Sequence, residues 1–334
     1  MRQNLLKLAT VVVAACSAQQ AALACAFHGY TPAPTLVDTL LSTEQVVVAQ
    51  PDLSTPDSYN VIETLLGHET PVVLLENEAT LGLQAIDEKA PMVLLARDGP
   101  YGGWMELAVL DNRFKTVVSD VIAKQSSWGF GDDTDRLAYF ARLLNDPNGD
   151  LRRLALQELD RVSYSALRRV DLPEIHNLHR DLLTGDADLR PIRILLAGLS
   201  GDMQFGAALA SELEKAIANE VPYMGAYATA WIELEEDKAI REIATKHLAN
   251  AGLPVSTHRK LFEALAIQTR NVSDKNRRMI LRSVMDVLQR HPELKDTVAQ
   301  TFGFRTSWME QRQSQHRQVA RESLTEPGQT AIVP

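Results

Sequence analysis

The chain has 334 residues, 45% of them hydrophobic and 23% charged, with a formal net charge of −9. This is globular composition with length for about two domains. The acidic balance offers no long-range attraction to phosphate backbones, so no nucleic-acid partner is expected. No run of 18 or more apolar residues occurs, so no transmembrane helix is expected in the mature chain.

Residues 1–24 have the three parts of a secretory signal peptide. Arg2 and Lys7 form a basic start, Leu8 to Cys16 (LATVVVAAC) a short apolar core, and Ala22-Leu23-Ala24 an A-x-A cleavage site. Cleavage after Ala24 would leave Cys25 first and send a bacterial protein to the periplasm or the extracellular space. A competing reading takes VAAC (Val13–Cys16) as a lipobox. It would make Cys16 a lipid anchor, but its apolar core is short, and ALAC places Cys25 behind the wrong order of residues. Stable anchoring would also need more than one acyl chain. The chain holds two cysteines; with Cys16 removed, Cys25 is a lone thiol and an intramolecular disulfide framework is excluded.

Residues 25–125 read as a small β-rich domain. A helix over Thr35–Leu41 is expected first. Strands follow at Gln45–Asp52, Ser58–Gly67, Thr70–Asn77, Ala90–Asp98 and Trp104–Asp111. These are β-branched or apolar runs bounded by Pro, Gly and polar residues. Asn112–Lys124 places Phe114, Val117, Val118, Val121 and Ile122 on one helical face, with Asn112 as the expected cap. The order of VVVA, LLG and VVLL strands resembles the netrin-like, OB-type module of secreted proteins. That resemblance implies a small barrel with a Cys at its mature N-terminus, although those modules often pin that Cys by a disulfide and no partner exists here.

The polar stretch QSSWGFGDDTD marks a linker at 126–135. Residues 136–323 then read as helical. In RLAYFARLLNDPNGDLRRLALQELDRV, Leu137, Phe140, Leu143 and Leu144 form one apolar face, NDPNGD a turn, and Leu151, Leu154, Ala155 and Leu159 a second face. A partial echo follows at Leu182–Leu199, close to the HEAT/armadillo period. DPNGDLRRLA resembles the inter-helix turn of HEAT repeats, which implies that Asp146 and Arg152 bridge neighbouring repeats. Further helix pairs are expected at 204–218 with 222–235, 237–250 with 256–268, and 275–291 with 293–304. Residues 324–334 read as a flexible tail. The expected fold is thus α+β and multidomain: an OB/NTR-like domain followed by a HEAT-like α-solenoid.

The first candidate for chemistry is Cys25-Ala26-Phe27-His28. A thiolate, an imidazole and a free α-amine could hold copper or zinc. Against this, two side chains do not close a structural site, and the competing reading is an N-terminal segment that packs Phe27 onto the barrel with His28 half exposed. A c-type haem is excluded by the missing second Cys. In Glu174-x-His176-x-x-His179-x-Asp181 the two His would share a helix face, but the spacing is not that of His-Glu-x-x-His; a polar helix face is the stronger reading. The acidic groups Asp132, Asp133, Asp135 and LEEDK (Leu234–Lys238) sit at expected helix starts, where carboxylates favour the dipole. They lack calcium-loop spacing. Trp128 and Trp231 read as packing residues. No nucleophile elbow, phosphate loop or dinucleotide fingerprint occurs, and LAGLSGD (Leu196–Asp202) reads as a helix end.

No enzyme activity and no cofactor is therefore expected. The expected role is an exported binding or scaffold protein that takes a partner protein on its solenoid face. The alternative is a copper or zinc handling protein with Cys25 and His28 as ligands.

Overall fold

A computed structural model describes Phe27 and residues 32–303, apart from 56, 76–90, 100, 130–132, 185–186 and 271. The chain is α+β: a five-stranded antiparallel sheet comes first and helices follow. It divides into two compact units, Pro32–His176 and the chain from Asn177 onward. The stretch expected to be a linker, 126–135, lies inside the first unit.

In that unit the strands are β1 (Gln45–Pro51), β2 (Ser58–Leu66), β3 (Val72–Leu74), β4 (Met92–Arg97) and β5 (Met105–Leu110). Their order across the sheet is β3-β2-β1-β4-β5. The central pair, β1 and β4, is buried on both faces, which explains its unbroken apolar runs. Val47, Ala49, Tyr59, Val73, Val93 and Leu95 form one core cluster, drawn from strands alone. Val46, Val48, Leu94 and Ala96 are buried on the alternate positions. Helix α1 (Leu36–Ser42) starts from a capping box: Thr35 Oγ1 accepts from the Asp38 amide and the Asp38 carboxylate accepts from the Thr35 amide. Helix α2 (Asn112–Ala123) packs its apolar stripe against β2 and β5. Its cap is Asp111, not Asn112: the Asp111 carboxylate accepts from the Phe114 amide at 2.6 Å.

Helices α3 (Gln125–Gly129), α4 (Asp133–Ala141), α5 (Gly149–Asp160) and α6 (Tyr164–Leu167) complete the unit. Trp128 is buried, donates Nε1 to Asp135 at 2.9 Å and lies edge-on to Tyr139. A 3-10 turn at Arg142–Asn145 ends α4, and Asn148 caps α5 by accepting from the Asp150 and Leu151 amides. The buried Asp146 carboxylate accepts from Arg113 of α2 at 3.0 Å, while Arg152 donates to the Asp146 carbonyl at 2.6 Å. In the structure, therefore, Asp146 ties the turn to α2, and Arg152 closes the turn on itself.

The second unit contains α7 (Leu178–Thr184), α8 (Arg190–Leu199), α9 (Phe205–Ala218), α10 (Met224–Glu235), α11 (Asp237–Glu242), α12 (Val255–Gln268), α13 (Asp274–Arg290) and α14 (Lys295–Phe302). Helix α11 continues into a π-helical turn at Ile243–Leu248. Helices α8, α10, α12 and α14 pack successively in one row; α9 packs on α10, and α13 packs on α11. Gly198 makes the α8–α10 contact close, since a Cβ there would lie 2.5 Å from Ala230 Cα. Residues 191–198 of α8 and 224–232 of α10 are buried without a break, so neither helix has a solvent face there. Trp231 is buried in α10 and donates Nε1 to Glu235 at 3.0 Å.

Candidate functional site

Cys25 and His28 lie outside the described residues, as does Cys16. Phe27, between the first two, is buried. The Glu174–Asp181 segment does not form one helical face. The helix starts at Leu178, and His176 precedes it in a turn. Asn145 clasps that turn, donating Nδ2 to the Glu174 carbonyl at 2.7 Å and accepting the His176 amide at 2.9 Å. His179 stacks on Phe205, with ring centres 3.8 Å apart, and its Nε2 stands 3.7 Å from Asp202. Among the described residues no group of three or more His, Cys, Asp or Glu is placed to hold a metal.

The most deeply buried charge network is in the first unit. Glu158 is 2% exposed. Its carboxylate accepts from Arg136 Nε at 2.6 Å, from Arg136 Nη2 at 3.0 Å and from the Thr35 hydroxyl. Arg136 Nη2 also reaches Asp38 at 2.9 Å, and Arg161 pairs with the same Asp38. The network is well paired and binds α1 to α4 and α5, so its role is architectural. At the helix joint nearby, the Lys124 ammonium and the Trp128 indole donate to Asp135 and hold its carboxyl below the usual range.

Buried polar groups in the second unit are less well matched. His258, on α12, is 2% exposed, and His291, at the end of α13, is 9% exposed. Their ring centres are 5.4 Å apart. His258 Nδ1 lies 3.2 Å from the Pro254 carbonyl oxygen, and His291 Nδ1 lies 2.9 Å from a Glu293 carboxylate oxygen. The Nε2 atom of each ring is buried without a hydrogen-bond partner. The sequence carries no signature for this pair, because the two residues approach only through the packing of successive helices. His247, on the π-helical turn, is also buried; burial and the adjacent Lys246 hold its imidazole below the usual value.

The surface of α13 has a different character. Lys275, Arg277, Arg278, Arg282 and Arg290 are exposed, against Asp274 and Asp286. Lys275 pairs with Asp237, Arg277 with Asp274, and Arg290 with the Ala249 carbonyl. Arg278 and Arg282, one turn apart on the same face, engage no partner among the described residues. A net-positive helix face on a chain of net charge −9 is a local departure from the whole. No family model matches the chain, and no curated protein or solved structure matches it.

Proposed function

We propose that this is an exported binding or scaffold protein whose helical unit takes an acidic partner protein on the exposed face of α13. The observation that carries this reading is the pair of exposed guanidinium groups, Arg278 and Arg282, that engage no partner among the described residues. Arginine forks favour carboxylates, and basic faces steer acidic partners. The row of α8, α10 and α12 supports an α-solenoid of the HEAT kind, with α9, α11 and α13 as its second row. Because α8 and α10 are enclosed along their centres, the second row is the better docking face. The strand order β3-β2-β1-β4-β5 supports an OB-type module for the sheet, since a five-stranded OB ring opened between its third and fifth strands has this order. Export rests on residues 1–24.

The test is photo-crosslinking in the native host, with the crosslinker placed at Gln289 of α13 and the partner identified by mass spectrometry. An acidic protein should be captured, and Arg278→Glu with Arg282→Glu should abolish the adduct while the helical signal is kept. Undiminished capture by the double variant would refute docking on this face. Mass analysis of the mature chain tests the export reading, which expects a start at Cys25.

A further inference from the structure

We propose that the joint between α10 and α11 is a strained hinge, held bent by the first turn of α13, and that Asp237–Leu248 opens from it as one unit. The hinge itself is independent of the partner reading. Glu236 is the whole of the joint: α10 ends at Glu235 and α11 begins at Asp237. Its backbone stands at φ 34° and ψ −104°. Those angles lie close to the first central position of a type II′ turn, where glycine is the usual residue. For a residue with a Cβ they are costly. Nothing in the local sequence asks for a bend. Leu234-Glu235-Glu236-Asp237-Lys238 holds neither Gly nor Pro, and its leucine, glutamates and lysine favour a continuous helix. Helical bonds flank the bend: the Glu236 amide donates to the Ile232 carbonyl at 2.9 Å, and the Ile240 amide to the Glu236 carbonyl at 3.0 Å. Local preference and fold therefore disagree at a single residue.

Such a conformation persists only where its surroundings hold it. Two neighbours do so here. On the α9 side, the Glu235 carboxylate accepts from Trp231 Nε1 at 3.0 Å and from Lys238 at 2.7 Å, and it fills the space beside Gly206, where a Cβ would stand 2.2 Å from Oε1. On the α13 side, Lys275 pairs with Asp237, and Asn276 Nδ2 donates to the Glu236 carboxylate at 3.2 Å. Asn276 is 1% exposed, and its Oδ1 is buried with no hydrogen-bond partner among the described residues. The latch is therefore imperfect: closing it leaves a buried acceptor unmet, and opening would return that atom to water. At its far end α11 runs into the π-helical turn Ile243–Leu248, a rare geometry that often marks functional segments. The element is strained at its start and irregular at its end, as expected of a segment that opens ahead of the rest of the fold. Opening parts α11 from α13. On the partner reading, a ligand on the α13 face and the state of the bend would therefore bias each other.

Hydrogen exchange with mass spectrometry on the full chain tests the hinge by comparing Glu236→Gly with Glu236→Ala. Both variants lose the carboxylate, so their difference reads the backbone alone. In a relaxed helix alanine outranks glycine. At the strained bend the order inverts, and amides of 237–248 should exchange at least about 5-fold more slowly in the glycine variant. The double variant Lys275→Ala with Asn276→Ala should speed exchange over 237–248 while residues 205–218 of α9 keep their protection. An alanine variant protected as well as the glycine variant, or better, would overturn the hinge. So would exchange that the double variant leaves unchanged, or raises as much in α9 as in α11.

Discussion

Replacing Glu158 with Met should destabilise the first unit severely. The carboxylate accepts two bonds from Arg136 and one from Thr35. Charge-assisted bonds contribute about 1.5–3 kcal/mol each, so the gross loss is roughly 4.5–9 kcal/mol. Relief from burying the carboxylate offsets several kcal/mol, while Arg136, only 13% exposed at its side chain, is left with Asp38 alone. The net cost is about 3–5 kcal/mol, the usual range for breaking one side of a buried pair. At about 3 °C per kcal/mol for a unit of this size, the midpoint should drop by ~10–15 °C. Calorimetry gives the midpoint, and hydrogen exchange shows whether the loss falls on α1, α4 and α5. The double variant Glu158→Met with Arg136→Met should recover part of the loss, because no unpaired buried charge remains. A single-variant loss below about 1 kcal/mol would refute the assignment of the network as the tie between these helices.

Three further outcomes follow from the packing and the titrating groups. Gly198→Ala should cost about 2 kcal/mol in urea unfolding, since the new methyl meets Ala230 backbone that cannot yield without parting α8 from α10. Asp111→Ala should cost ~1 kcal/mol as a lost cap. The Phe114 amide holds the Asp111 carboxyl below its usual 3.8, so this contribution is present above that value and disappears as pH falls through the depressed one; titrating both proteins should show their difference vanish in acid. His247 works in the opposite direction: its folded-state value lies below the usual 6.5, so the unfolded chain binds more protons and stability falls as pH drops below 6.5. Urea unfolding at about pH 7.5 and about pH 5.5 should show a smaller acid loss for His247→Gln than for the natural chain.

Most element positions were legible because they depend on local chemistry. The helices expected at 204–218, 222–235, 237–250 and 256–268 appear as α9, α10, α11 with its π-helical turn, and α12, bounded by the Gly, Pro and Asn residues that interrupt the helical period. The cap of α2 was displaced by one residue because Asp111 and Asn112 are both good caps, and only the geometry at Phe114 decides between them. QSSWGFGDDTD has the composition of a linker, but Trp128 finds Asp135 and Tyr139, contacts that composition does not encode. Likewise, the Thr35–Glu158 tie spans 123 positions, and the His258–His291 approach depends on how α12 meets the end of α13. Asp146, expected to bridge neighbouring repeats, instead accepts from Arg113 on the helix that follows the sheet, a partner 33 positions away that the turn motif does not encode.

The enclosed helix α10 constrains how the chain is made. Residues 224–232 have no side suited to water, and one of their neighbours, α12, ends only at Gln268. A growing chain must therefore carry Met224–Ile232 with one side wet until more than thirty further residues have emerged. During that interval the segment is an apolar surface open to chaperones or to other nascent chains. A C-terminal truncation before α12 would make that transient exposure permanent, so shortened forms should aggregate even though α8, α9 and α10 are all present.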